Sequence, residues 1–187
     1  MGLRSKLRKF LYIRKFRNKS FLFEVKEKNI LITGANSGIG LALSKKLLTF
    51  KNKIIATYKK NSVNLDQIEN NNLYKIKCDQ RDDNDFIELK KKLDQFKIDI
   101  IINCAGVFGP SFQNQEIAEL NFDEFQEILN VNALSIAKII QIILKNKNSM
   151  PKIIVNLSSD AGSLAKNTEG NAYIYRTSKS ALNSITK

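Results

Sequence analysis

A chain of 187 residues with 43% hydrophobic side chains is long enough to bury a core and too apolar to stay disordered as a whole. It contains no histidine and two cysteines, Cys78 and Cys104, which excludes a Ser-His-Asp triad, a Cys-His pair, a His-ligated zinc and a disulfide framework within the chain. The net charge of +13 points to nucleic acid, but residues 1–28 hold ten Lys/Arg against two acids, leaving an ordinary balance of 21 basic and 16 acidic, so no nucleic-acid partner is expected.

The basic head, residues 1–28, places Leu3, Leu7, Phe10 and Leu11 on one helical face with Arg and Lys opposite. An extension without a role of its own is the favoured reading, with organellar import as the lesser alternative and the cytoplasm as the expected location. No apolar run approaches the ~18 residues that span a bilayer, so no integral membrane segment is expected.

From Asn29 onward, short apolar runs alternate with amphipathic stretches. "NILIT" reads as a strand, followed by a Gly-rich turn and a helix with Ile39, Leu43 and Leu47 at helical spacing. "KIIATY" is a second strand, and a polar loop leads to a third, "LYKIKC". "NDFIELKKKLDQF" is a helix with Phe86, Leu89 and Leu93 inward, and "IDIIIN" a fully buried strand. A helical region over about residues 121–147 precedes "KIIVNL", and the last helix begins near Tyr173. Strands separated by helices imply right-handed crossovers and a doubly wound parallel sheet, a three-layer αβα Rossmann-type domain over residues 29–187.

The turn at residues 33–40, "TGANSGIG", joins the first strand to the first helix. Glycines at 34, 38 and 40 permit a tight turn, close approach to a pyrophosphate and close helix–strand packing. The helix N-terminus then offers free N–H groups to phosphate, so Gly34, Asn36, Ser37, Gly38, Ile39 and Gly40 are candidate dinucleotide-binding residues. An acid at the end of the second strand selects the ribose hydroxyl of NAD, and a base the 2′-phosphate of NADP. No Asp or Glu occurs between Phe50 and Asn64, and Lys59 and Lys60 stand there, so NADP(H) is preferred with NAD(H) as the alternative.

Near the end, Tyr175 and Lys179 are four residues apart on one helical face. An unperturbed phenol titrates near pH ~10, and a neighbouring ammonium favours its phenolate, which brings proton exchange nearer neutrality. Tyr173, by contrast, has Thr177 four residues on.

The turn at 33–40, "NCAG" at 103–106, "NLSS" at 156–159 and the Tyr175-x-x-x-Lys179 pair together resemble the short-chain dehydrogenase/reductases. The stretch "SSDAGSLAKNTEGNAYIYRTSKSALN" is similar in detail to the sniffer-like and C-factor-like carbonyl reductases of that family. The resemblance covers nearly everything from Asn29 onward and implies roles residue by residue. Asp79 would accept from the adenine amino group, and Asn103, Ala105 and Gly106 would end the fourth strand and line the cofactor. Asn132 would bind a water in the proton relay, Ser159, with its neighbour Ser158 as the alternative, would hydrogen-bond the substrate carbonyl, and Tyr175 would be the acid/base with Lys179 as partner.

The implied activity is NADPH-dependent reduction of a ketone or aldehyde to an alcohol, on a small-molecule substrate, in what is often a homo-oligomer. Family members normally continue past this helix. The chain is therefore expected to lack the family's C-terminal strands, leaving the fifth strand at an edge. An inactive nucleotide-binding or interaction module is the alternative.

Overall fold

Runs of isoleucine, leucine and alanine, buried on both faces, set the centre of the molecule. A computed structural model describes residues 25–168 and 170–187; the basic head lies almost wholly outside the described residues, up to residue 24. Five strands form one parallel sheet in the order β3-β2-β1-β4-β5: β1 (Asn29–Thr33), β2 (Lys53–Tyr58), β3 (Leu73–Lys77), β4 (Ile100–Asn103) and β5 (Ile153–Asn156). Central positions such as Leu31, Ile55 and Ile101 have no solvent exposure. Burying a side chain of this kind contributes roughly 1.5–3 kcal/mol.

One face carries α3 (Asp83–Leu93) and α5 (Ser135–Lys145), whose Phe86, Leu89, Leu93, Ile139 and Ile143 pack with Leu31, Ile55 and Ile101. Asp82 caps α3 by accepting from the Asn84 N–H, and Lys90, Lys91 and Lys92 in its last turn complement the helix dipole. The other face joins Ile30, Ile32, Ile54, Ile100 and Ile102 to Leu48 of α1 (Gly38–Leu48) and Leu65 of the short α2 (Val63–Asp66).

Two details differ from the sequence expectation. In α1 the buried positions are Gly40, Ser44 and Leu48, with Ile39 exposed and Leu43 and Leu47 only partly buried. The cause is Gly40, where a Cβ would lie 2.5 Å from the Gly34 carbonyl oxygen; the helix seats its small residues against the turn. The polar loop after β2 contains α2, held by Asn36, whose Oδ1 accepts from the Asn64 and Leu65 N–H groups.

The helical region expected over about 121–147 is α4 (Phe122–Leu129), a π-helical widening (Asn130–Leu134) and α5. The continuous stretch Phe122–Lys145 is long and apolar enough to cross a membrane. Its buried Ile139 and Ile143 nevertheless belong to the core cluster shared with the sheet. The last helix, α6 (Tyr173–Thr186), packs Leu182 against Ala133 and Ile136. Among the described residues β5 has a strand on one side only, and Val155 is 41% exposed.

Candidate active site

Strand order reverses at β1: β2 and β3 lie to one side and β4 and β5 to the other. Loops leaving β1 and β4 therefore diverge and open a crevice at the C-terminal ends of the strands. A groove of about 380 Å³ lies there, lined by Gly34, Ser37 to Gly40, Lys59, Asp79 and the segment from Cys104 to Val107, among others.

The floor of the groove is backbone held close to backbone. Thr33 Oγ1 accepts from the N–H groups of Cys104 and Ala105, both at 3.1 Å, which ties the end of β4 to the end of β1. Gly34 sits at φ +62°, and a Cβ on it would meet the Ala105 Cα at 2.8 Å. The N-cap of α1, Ser37, makes no side-chain capping bond, and the first turn holds no acid. Its leading N–H groups and the positive end of the dipole thus face the groove without a side-chain partner, and these residues fit a dinucleotide phosphate.

Beyond the ends of β2 and β3, Lys59 Nζ lies 3.6 Å from Asp79 Oδ2. Asn36 and Asn103 are elsewhere. Asn36 turns to α2, and Asn103, fully buried, donates from Nδ2 to Asn156 Oδ1 at 2.8 Å. Both hold the frame of the site and neither lines the groove.

Asn132, Ser159, Tyr175 and Lys179 are not among the residues that line this groove; Asn132 and Lys179 reach its wall through Val107, Gly106 and Leu157. The π-helical widening carries Asn132, fully buried, whose Oδ1 accepts from Val107 N at 2.8 Å while Nδ2 donates to Val107 O at 2.7 Å and Ser178 Oγ at 3.0 Å. Lys179, 5% exposed, donates from Nζ to Leu157 O at 3.0 Å. A Cβ on Gly106 would stand 3.2 Å from Asn132 Oδ1 and 3.5 Å from Lys179 Nζ, so glycine lets this loop lie against both. The Lys179 ammonium is 5.7 Å from the centre of the Tyr175 ring, whose other neighbour is Phe108 at 4.9 Å. Burial holds the Lys179 ammonium below the ordinary lysine range.

The two serines divide. Ser158 Oγ donates to Asn183 Oδ1 of α6 at 2.6 Å. Ser159 Oγ accepts from Ala161 N and donates to Asp160 Oδ1, both at 3.2 Å, in a 3₁₀ turn at the mouth of β5. Missing from the sequence reading is Gln115, fully buried, which bridges the loop after β4 to the backbone of Tyr175.

A parallel α/β sheet with a glycine-lined crevice at its switch point, and a buried lysine packed against the Gly106 loop beside it, defines a dinucleotide-binding fold. The model of the short chain dehydrogenase family matches residues 28–187, and the chain belongs to that family. It is 29% identical over 160 residues to an uncharacterized oxidoreductase of Saccharomyces cerevisiae, covering 84% of this chain and 50% of the relative. It is 31% identical over 173 residues to the short chain dehydrogenase asqE of Emericella nidulans, covering 86% and 62%. The chain thus spans about half to three-fifths of the length of these curated relatives.

Among solved structures it resembles the carbonyl reductase Sniffer of D. melanogaster, with TM-score 0.72 and 26% identity over 86% of this chain and 72% of that one. A carbonyl reductase from Pseudomonas aeruginosa PAO1 in complex with NADP gives TM-score 0.73 and 25% identity, covering 86% and 70%.

Proposed function

We propose that this chain carries the cofactor site and the acid/base group of an NADPH-dependent reductase that converts a ketone or aldehyde to an alcohol. One observation carries the reading: Lys179, buried and bonded to Leu157 O, stands against Gly106 of the groove wall and beside the Tyr175 ring. The NADP bound in the P. aeruginosa carbonyl reductase, a structural relative, supports the cofactor choice.

Gly34, Ser37 and the first turn of α1 would hold the pyrophosphate, Asp79 the adenine and Lys59 the 2′-phosphate. When bound, the nicotinamide supplies the hydride that the carbonyl carbon receives. Tyr175 gives the matching proton to the carbonyl oxygen as the C=O bond becomes C–O–H, and Lys179 favours the resulting phenolate. Ser159 turns its hydroxyl from Asp160 to the carbonyl oxygen, and Asn132 fixes the loop at Val107 that backs the site.

Steady-state NADPH oxidation in the presence of a panel of aldehydes and ketones tests this. Tyr175→Phe should abolish turnover while leaving NADPH affinity unchanged; retained turnover would remove Tyr175 from the proton transfer.

A further inference from the structure

The helix that bears Tyr175 and Lys179 begins without a cap of its own. Its N-cap position is Ala172, in the left-handed region at φ +52° and without a side-chain acceptor. Arg176 N is bonded to Ala172 O, so the N–H groups of Tyr173, Ile174 and Tyr175 precede the helical ladder and have no intrahelical acceptor. Such orphans are normally met by a Ser, Thr, Asp or Asn at the N-cap, which bonds the second or third residue of the helix. Here the third residue is Tyr175.

The acceptor comes from 60 residues away. Gln115 Oε1 accepts from Tyr175 N at 2.9 Å. The same amide donates from Nε2 to Pro110 O at 2.9 Å and to Phe108 O at 3.4 Å. Its orientation is fixed by its partners, because Tyr175 N can only donate and the two carbonyls can only accept. Gln115 has no solvent exposure, so water cannot replace it at these three bonds. The loop it grips leaves room only for glycine: Gly109 is at φ +98°, and a Cβ there would run into Ile128 Cδ1. Phe108, bonded through its carbonyl to Gln115, places its ring 4.9 Å from that of Tyr175.

We infer that Gln115 is a positioning residue: it caps α6 from outside the helix and fixes Tyr175 in register with the 107–115 loop that walls the site. This rests on the reading of Tyr175 as the acid. One side chain holds the backbone of the acid and, through Phe108, the wall beside its ring. A displacement of about 1 Å at a reacting group costs on the order of 100-fold in rate, so a cap at this position acts on turnover before it acts on cofactor binding.

The test uses Gln115→Met and Gln115→Glu in the full chain. The methionine variant should lose roughly 10- to 100-fold in kcat, keep its NADPH Kd within about twofold, and expose the Tyr175 amide to faster hydrogen exchange. The glutamate variant keeps an acceptor for Tyr175 N but sets a second carboxylate oxygen against two carbonyl oxygens. Protonation restores one donor, so its kcat relative to wild type should climb as pH falls, together with protection of the Tyr175 amide. A residue that merely fills space gives no such pH dependence.

Unchanged exchange at the Tyr175 amide in Gln115→Met overturns the inference. Should that variant fail to fold, the glutamate variant decides: a pH-independent Tyr175 amide overturns the inference, and protection gained in acid supports it. If Tyr175→Phe keeps turnover, the acid assignment falls, and amide exchange alone still judges the cap.

Discussion

Lys59 Nζ lies 3.6 Å from Asp79 Oδ2, joining the ends of β2 and β3 across the rim of the groove. With side chains 40% and 28% exposed, the pair is worth little, about 0–1 kcal/mol, so Lys59 is held loosely. A 2′-phosphate arriving beside it competes at small cost, and a charge-assisted bond of about 1.5–3 kcal/mol corresponds to roughly 10- to 100-fold in affinity. Lys59→Glu should therefore lower NADPH affinity relative to NADH by about that factor. Asp79→Asn removes the competitor for Lys59 and should raise the same ratio a few-fold. Any loss of an adenine contact falls on both cofactors and cancels in the ratio. Fluorescence titration with each cofactor measures it, and a ratio unmoved by Lys59→Glu ends the assignment.

Gly38 and Gly40 of the turn are not equivalent, and substitution should rank them. At Gly38 (φ +51°) an added Cβ meets nothing within 4 Å, so Gly38→Ala should cost only the left-handed backbone, about 1–2 kcal/mol. At Gly40 the Cβ would lie 2.5 Å from Gly34 O and 3.1 Å from Ala35 Cα, both backbone, and the cost should reach about 3 kcal/mol or more. Urea unfolding separates the two. Equal costs would mean that α1 can lift away from the turn.

The contrast between these glycines marks what the sequence revealed. β1, β2 and β4 fall where short β-branched runs stand, because a strand buried on both faces leaves no polar position to confuse the pattern. By contrast β3, with Tyr74, Lys75 and Lys77 exposed, and the partly exposed β5 lie at the sheet edges. The face of α1 was legible only to within one residue. Ile39, Leu43 and Leu47 carry the periodic signal, yet the approach of Gly40 to Gly34 decides which side turns inward. Asn36 looked like part of the phosphate turn, and its side chain instead organises α2, a four-residue helix with no pattern of its own. Gln115 could not be found at all: its partner is 60 residues away, and neither residue shows a local motif for the bond.

Cys104 lines the groove, yet burial pushes its thiol up to about 11. Burial, followed by the carboxylates of Asp85, Asp79 and Asp82, pushes Cys78 to about 12. At pH 7 only about one Cys104 thiol in ten thousand is then thiolate, the reactive form. Iodoacetamide should label the folded protein slowly at neutral pH and roughly tenfold faster per pH unit above it. NADPH should slow labelling at both cysteines, since both line the groove, and Cys78, which titrates higher, should react more slowly than Cys104 with or without it. Peptide mass spectrometry reads both sites. Rapid labelling of Cys104 at pH 7 would show a thiol far more solvated than its surroundings indicate.

Lys179 should show the opposite of a stabilising ion pair. Its pKa is lowered from 10.5 by burial alone, so the unfolded chain holds this proton more tightly than the folded one. Stability must then rise as pH climbs through the window between the lowered folded value and 10.5, because the desolvation cost of the ammonium is relieved there. Lys179→Met removes that cost and strands the Leu157 carbonyl, two effects of opposite sign. At neutral pH the variant should stay within about 1 kcal/mol of wild type while kcat falls at least ~100-fold. Urea unfolding of both proteins between neutral and alkaline pH supplies the comparison: wild type should gain on the variant as pH rises. A variant that instead loses several kcal/mol at neutral pH would identify Lys179 as an anchor of the fold, held for its bond to Leu157 rather than for a charge beside Tyr175.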